Sequence, residues 1–362
     1  MTHHHRSFIR VPRLRARLLS ALLAVLVPVH AAAQSVTLLT HESFALPEAV
    51  VEAFERDSGL ELRVLAGGDA GETVNRALLT QDRPVADVLF GIDNALIGRD
   101  GAVGLFTPYQ ADGLADVPAD RRFAGATVTP VTEGFVNFNL DVAAFEARGL
   151  PLPADLTDLT DPAYEGLTVV SDPATSSPGL AFMLTTIDRF GEDGWLDYWA
   201  ELRDNGLLVV SGWSDAYYTA FTRYGGDRPV VLSYATSPAA EVMFSEEALE
   251  AAPTVNLLCD RCAWRQIEAA GVLKGAGNDA AAQQVVDFLL SPAVQAAVPE
   301  SMFVYPAREG VTLPDAFDAY APRPTAEQTA SLPAEQIASM QEAWLDAWTQ
   351  VVRDGVAPED VR

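Results

Sequence analysis

The aromatic side chains between residues 211 and 240 could bind a flat, positively charged ligand. Trp213 follows a Ser-Gly turn, and Tyr234 ends a β-type run that leads into a second polar turn. An aromatic face attracts a cation placed over it by about 0.5–2 kcal/mol and also stacks on a ligand ring. Tyr217 and Tyr218 could join the same aromatic box, although adjacent residues of one helix are not expected to face one cleft together. The segment therefore predicts a site for a ring-shaped cation.

Polar groups that could hold the rest of such a ligand follow two other predicted strands. Asp93 comes directly after a strand-like run, where its carboxylate could accept from an amino or ring N–H group. A helix cap or turn residue is the plainer interpretation of Asp93. The segment 172–179 ends a strand and opens a helix, and it contains Ser176, Ser177 and Gly179. Free N–H groups at such a helix start suit a phosphate or another anion, but an ordinary cap formed by Ser177 explains the same pattern.

Strand and helix patterns alternate along the chain, which places such loops at strand ends. Strands are predicted at 36–40, 60–66, 86–92, 134–140, 167–171, 207–210, 229–234 and 267–273. Helices are predicted at 47–58, 72–79, 178–189, 195–204, 279–290 and 334–353, and another follows a turn at 291–292 and ends at 298. The alternating run 134–140 is typical of a half-exposed strand and, with 267–273, is expected to cross between two lobes. This order predicts an α/β fold with parallel strands, in which ligands bind beyond the strand ends.

The first 33 residues differ from the rest of the chain. Five arginines precede an apolar run at 18–29, and three alanines ending at Ala33 resemble a cleavage site. This pattern predicts a secretory signal peptide cleaved near Ala33, with a retained N-terminal anchor as the alternative. The remaining chain is expected to be exported and periplasmic, and its length predicts two domains or two lobes.

The charge of the chain favours a cationic ligand. Residues 1–33 contain five of the 24 basic residues and none of the 50 acidic ones, so the 19 basic residues that remain leave a net charge of −31. A field of this sign repels nucleic acid and anionic membrane surfaces. Simple solubility explains the charge equally well, so charge alone does not identify the ligand.

The residue types that common enzymes need are missing from the sequence. It has no nucleophile elbow, no Walker-type loop and no histidine cluster, and His41 is the only histidine after residue 33. Cys259 and Cys262 supply at most two metal ligands, so in an oxidising compartment a disulfide that pins one turn is favoured over redox or zinc chemistry. The sequence predicts a binding protein that is not an enzyme and has no cofactor or metal.

Six short segments in a fixed order carry a resemblance to a known family. They are THESF at 40–44, ADVLFGIDN at 86–94, DPATSSPG at 172–179, GWSDAY at 212–217, LSYATSP at 232–238 and VYP at 304–306. Together they resemble the thiamine-binding periplasmic component of ABC transporters, within the larger family of two-lobed solute-binding proteins. The resemblance implies a type II periplasmic binding fold that closes over thiamine, or its mono- or diphosphate, and delivers it to a membrane permease.

The resemblance also implies an organisation and residue roles. Lobe I is expected at 34–131 plus 268–362 and lobe II at 132–267, joined by crossing strands in a monomer. Asp93 would bind the aminopyrimidine, Trp213 and Tyr234 would pack on the rings and the cationic thiazolium, and the turn containing Ser176, Ser177 and Gly179 would face the hydroxyethyl or phosphate end.

The sequence departs from better-known members at several of these positions. His41 stands where they place a tyrosine, and Ala240 and Phe303 stand where they have a tyrosine and a tryptophan. Glu133 belongs to a Thr-Glu pair that replaces an Asp-Tyr pair, and it could add negative charge near a cation, as could Glu42. His41 and Phe303 are kept as expected ligand contacts.

Other cargoes remain open because aromatic faces are lost at these positions. The alternative ligands are another small cation, such as a polyamine, or ferric iron. Ferric sites draw on tyrosine oxygens, which Tyr217, Tyr218 and Tyr234 could supply.

Overall fold

Two groups of parallel strands meet at a central antiparallel pair in one twelve-stranded sheet. The computed structural model describes Met1 and residues 34–362, so the predicted signal peptide lies outside the described residues apart from Met1. The strands are β1 (Gln34–Thr40), β2 (Leu60–Ala66), β3 (Val88–Asp93), β4 (Phe106–Thr107), β5 (Thr129–Asp141), β6 (Thr168–Ser171), β7 (Leu208–Val210), β8 (Val230–Tyr234), β9 (Thr254–Leu257), β10 (Ala263–Leu273), β11 (Tyr305–Pro306) and β12 (Thr329–Ala330).

The order of the strands separates the sheet into two halves. It runs β2-β1-β3-β10-β5-β8-β6-β7, with the short strands β4, β9, β11 and β12 paired beside this path. Strand β1 is parallel to β2 and β3, and β6 is parallel to β7 and β8. Between these groups β10 runs antiparallel to both β3 and β5, and β5 runs antiparallel to β8. The two long strands β5 and β10 therefore connect the halves, as predicted for crossing strands.

Both crossing strands are longer than predicted, and β5 is also more buried. Every residue of β5 is buried, so the expectation that 134–140 is half exposed was wrong. The strand is covered on both faces, so its polar residues need hydrogen-bond partners inside the protein. Asn137 donates to Asn256, and Asn139 donates to Asn256 and to the backbone carbonyl of Tyr234. Strand β10 begins at Ala263, four residues before the predicted start.

Helices cover both halves of the sheet. They are α1 (Glu48–Ser58), α2 (Ala70–Leu79), α3 (Val142–Arg148), α4 (Ser177–Asp204), α5 (Trp213–Asp215), α6 (Ser237–Met243), α7 (Asp279–Leu289), α8 (Pro292–Ser301), α9 (Asp315–Tyr320), α10 (Ala334–Trp348) and α11 (Pro358–Val361). The two helices predicted at 178–189 and 195–204 form α4, which is interrupted where Gly191 adopts φ 72° and ψ 172°. Trp344 and Trp348 of α10 are buried.

Residues 34–362 form one compact unit. Within this range no helix is both long and apolar enough to cross a bilayer. Cys259 and Cys262 are joined as a disulfide in the connection between β9 and β10, as the sequence favoured.

Candidate functional site

A cavity of about 670 Å³ lies beside the crossing strands, and the predicted aromatic residues meet there. Six of the residues predicted for the site line it: His41, Ser177, Trp213, Tyr217, Tyr234 and Phe303. The other three, Asp93, Ser176 and Gly179, are not in its wall.

Trp213 is fixed in orientation by three contacts. Its backbone N–H donates to Asp69 Oδ2 at 2.7 Å, and its Nε1–H donates to Ser233 Oγ at 2.8 Å. Its ring stacks on Tyr217 with 5.0 Å between centroids and 17° between planes. A Cβ at Gly212 would come within 3.0 Å of Asp69 Oδ2, so this residue must be small for Asp69 to reach the backbone of α5. The indole therefore presents a preorganised flat surface to the cavity.

Tyr217 and Tyr218 both line the cavity, which corrects the expectation that only one could do so. Residues 216–220 form a π-helical turn, whose wider spacing differs from the α-helix assumed from the sequence. Tyr217 is buried, and its hydroxyl donates to Glu241 Oε1 at 2.5 Å. Tyr218 is 47% exposed and meets the Trp213 ring edge-on at 5.4 Å.

Tyr234 forms a second aromatic wall at an angle to the indole. It ends β8, and its ring centroid lies 6.3 Å from that of Trp213 with 63° between the planes. A Cβ at Gly134 would lie 3.1 Å from the Tyr234 ring, so the glycine lets the ring lie against β5. The phenol donates to Gln266 Oε1 at 3.0 Å. Two ring faces held by hydrogen bonds thus form a corner that suits a planar ligand.

The cavity is acidic. Its carboxylates belong to Glu42, Asp69, Glu241 and Glu268. Among the described lining residues Arg223 is the one arginine or lysine, and it is exposed. Burial raises the pKa of Asp69, of Glu241 and of Glu268, because the charged form loses its hydration. A bound cation would reverse part of this effect by favouring the ionised carboxylates.

Glu268 and His41 form the floor nearest to the crossing strands. The β10 register shifts next to Glu268, and such a bulge re-aims a side chain. Glu268 Oε2 accepts from Thr132 Oγ1 at 2.6 Å, and its Oε1 lies 3.4 Å from His41 Nε2. Burial lowers the pKa of His41, although Asp69 and Glu42 act in the opposite direction. A Cβ at Gly91, which has φ 103°, would lie 2.6 Å from the imidazole, so only a glycine leaves room for this ring.

The carboxylate of Asp93 is used inside the protein. Its side chain is 1% exposed. Oδ1 accepts from the backbone N–H groups of Ala95 and Leu96 at 2.8 and 2.7 Å, and Oδ2 accepts from the Ser177 hydroxyl. Burial raises the pKa of Asp93 to about 6. This geometry matches the plainer interpretation, in which Asp93 caps the turn at 95–98.

The serine turn at 172–179 is likewise committed to internal contacts. The residue before α4 is Ser176, and neither it nor Ser177 caps the helix with its side chain, so the predicted cap was wrong. Ser176 Oγ donates to Ser171 Oγ at 2.8 Å. A Cβ at Gly179 would lie 2.3 Å from the carbonyl oxygen of Ser171, so this glycine allows α4 to pack against the end of β6.

The departures from the family pattern have different outcomes. Ala240 and Phe303 line the cavity, and Phe303, at φ 58°, meets Phe244 edge-on at 4.8 Å. Glu42 lines it as well. Glu133 does not, because its side chain points to the opposite face of β5 and binds arginines there, so the expected negative charge near the cation was wrong for this residue.

The comparisons with known proteins define the class. The model of the bacterial extracellular solute-binding protein family matches residues 83–328, and the chain belongs to this family. The thiamine-binding periplasmic protein of Brucella suis biovar 1 is 31% identical over 350 residues, which cover 93% of this chain and 98% of that protein.

Solved structures agree with the fold. A periplasmic thiamin-binding protein has 28% identity and a TM-score of 0.77 over 88% of this chain and 96% of that one. Iron-bound HitA from Pseudomonas aeruginosa, at 21% identity, has a TM-score of 0.69 over 87% of this chain and 99% of that one. The type II periplasmic binding fold expected from the sequence is confirmed.

Proposed function

We propose that this chain captures thiamine in the acidic aromatic cavity and delivers it to an ABC transporter permease. The observation that carries the proposal is the combination of two fixed ring faces, on Trp213 and Tyr234, with four carboxylates around one cavity. Thiazolium is flat and permanently charged, so it gains from both features at once. The names of the relatives support the same ligand.

Closure over the ligand would join the two proposed lobes. The lobes are 34–131 with 268–362 and, opposite them, 132–267. Asp69 belongs to the first and Trp213 to the second; both line the cavity, and a 2.7 Å hydrogen bond joins them. We further propose export after cleavage near Ala33, a monomeric state and no catalysis.

The unphosphorylated form is the proposed cargo. A phosphate would bring negative charge to a wall with four carboxylates, and the hydroxyls of Ser176 and Ser177 are already bound to Ser171 and Asp93. Arg223 is the lining residue suited to meet a phosphate, but its side chain is exposed to solvent.

The alternative ligands gain less from this cavity. The hydroxyls of Tyr217 and Tyr234 are bound to Glu241 and Gln266, and burial raises the pKa of both tyrosines, which disfavours the tyrosinate that ferric iron needs. A polyamine would meet the carboxylates but has no ring to stack.

The test is a calorimetric titration of residues 34–362, stripped of bound ligand, with thiamine, thiamine diphosphate, spermidine and ferric citrate. We expect saturable one-to-one binding of thiamine, weaker binding of the diphosphate, and recovery of unchanged thiamine by chromatography. Arg223→Gln is expected to weaken only the diphosphate. Absence of thiamine binding by folded protein would refute the proposal. A visible iron–tyrosinate absorption band with ferric citrate would instead identify ferric iron as the ligand.

A further inference from the structure

A second cleft, of about 680 Å³, lies across the crossing strands from the acidic cavity. Successive side chains of a strand point to opposite faces. Glu268 lines the acidic cavity, whereas its neighbour Ile267 lines the second cleft together with Glu133, its partner in the β5–β10 ladder. The two sites therefore share a wall but face in opposite directions.

The second cleft is basic, although the chain as a whole is strongly acidic. Its charged wall residues are Arg121, Arg122, Arg265, Arg323, Asp120 and Glu133, which leaves two positive charges in excess. Glu133 is 1% exposed, and its carboxylate is bound by Arg265 Nε at 2.7 Å, by Arg121 Nη2 at 3.3 Å and by Arg323. One buried carboxylate thus holds three guanidinium groups together without neutralising them.

Two of the arginines on Glu133 are also exposed to the cleft. The side chain of Arg265 is 28% exposed and that of Arg323 is 39% exposed, although both bind the Glu133 carboxylate. Their outer N–H groups can therefore reach a ligand in the cleft. An anion bound there would neutralise the excess charge.

We propose that this cleft binds a small organic oxyanion, a carboxylate or phosphate group attached to an apolar body. The oxygens would face the exposed guanidinium groups of Arg265 and Arg323, since charge-assisted hydrogen bonds to guanidinium are strong. The body would pack on apolar residues that line the same cleft, including Phe123 and Leu332. This site is independent of the proposed carriage of thiamine, because it lies on the other face of the sheet.

The test follows the Trp264 indole N–H signal in ¹H–¹⁵N spectra of residues 34–362. Comparison with Trp264→Phe assigns this signal among the six tryptophans. The probes are phenylphosphate, benzoate, inorganic phosphate and the neutral benzyl alcohol. We expect saturable shifts with phenylphosphate or benzoate, at least tenfold weaker binding of inorganic phosphate, no shift with benzyl alcohol and an unmoved Trp213 signal. Whichever of phenylphosphate and benzoate binds more tightly shows whether the cleft prefers a phosphate or a carboxylate group.

Matched variants separate a built site from a general salt effect. Arg323→Gln should weaken the aromatic anion at least tenfold, whereas Arg56→Gln, on the 68% exposed side chain of α1, should leave it unchanged. Glu133→Gln should strengthen anion binding, because it removes the carboxylate that competes for the guanidinium groups. This second variant provides a test of the site if Arg323→Gln does not fold. A shift that does not saturate, or equal effects of Arg323→Gln and Arg56→Gln, would overturn the proposal.

Discussion

Replacement of Trp213 by alanine is the sharpest test of the stacking surface. The indole is held by Ser233 and lies on Tyr217, so the ligand finds it already in place and loses little entropy in using it. A cation–π contact with a desolvated indole contributes about 2 kcal/mol, which corresponds to a roughly thirtyfold change in Kd. We therefore expect Trp213→Ala to weaken thiamine binding by about thirtyfold.

Trp213→Phe is the matched control for this change. It keeps a ring above Tyr217 and loses the hydrogen bond to Ser233. This hydrogen bond exists with and without ligand, so its loss lowers affinity only because the ring is held less firmly. That effect is at most the roughly 1 kcal/mol of one neutral hydrogen bond, so the loss in affinity should stay below about fivefold. Both variants are titrated with thiamine by calorimetry, after circular dichroism has established that they fold. If Trp213→Ala binds thiamine within twofold of the parent chain, the indole is not the stacking surface.

Three further predictions concern buried carboxylates. Burial raises the pKa of Glu268, and a bound cation favours its ionised form. Thiamine binding in mild acid should therefore release protons, and the affinity should increase as pH rises. Glu268→Gln should weaken this pH dependence, as measured by calorimetric titrations in buffers of different ionisation enthalpy. Asp69 accepts from Ala70 N–H with one carboxylate oxygen and from Trp213 N–H with the other, whereas an asparagine has one side-chain oxygen. Asp69→Asn should therefore weaken closure of the proposed lobes and thiamine binding. X-ray scattering of the ligand-bound chain should show a larger radius of gyration. The raised pKa of Asp93 means that the folded chain binds this proton more tightly than the unfolded one, so its effect lowers the free energy of unfolding as pH rises from 3.8 to about 6. Asp93→Asn should flatten that fall in denaturant titrations, and an unchanged slope would contradict the assignment.

The first third of the fold could be predicted closely because its signals are local. Pro47 and Gly59 bound α1, and the observed helix lies between them. Strand β2 has the bounds that were predicted. The crossing strands were harder, because burial on both faces removes the alternation that marks a strand. Gln266 and its neighbours in β10 were missed, since a polar residue is stable there only through a partner, Tyr234, that is 32 residues distant.

The site was predicted by residue type more successfully than by position. Trp213 and Tyr234 could be chosen because large aromatics at strand ends have few other uses. Asp93 occupies a strand end as expected, but the sequence does not reveal that neighbouring N–H groups and Ser177 fill its lone pairs. Glu268 lies in an apolar run, and the bulge that turns it into the cavity leaves no local signal. Asp69 could have been identified from the sequence, because it lies in a glycine-rich turn and such turns mark a close approach of backbones.

Neighbouring side chains of β5 point to opposite faces of the sheet, and this limits which insertions and deletions the chain can tolerate. Thr132 supports Glu268 on one face, and the next residue, Glu133, gathers arginines on the other. Insertion or deletion of a single codon here would turn every following side chain to the wrong face. Substitutions can therefore retune either cavity separately, whereas changes in length will be tolerated only in connections such as the mostly exposed loop 246–252.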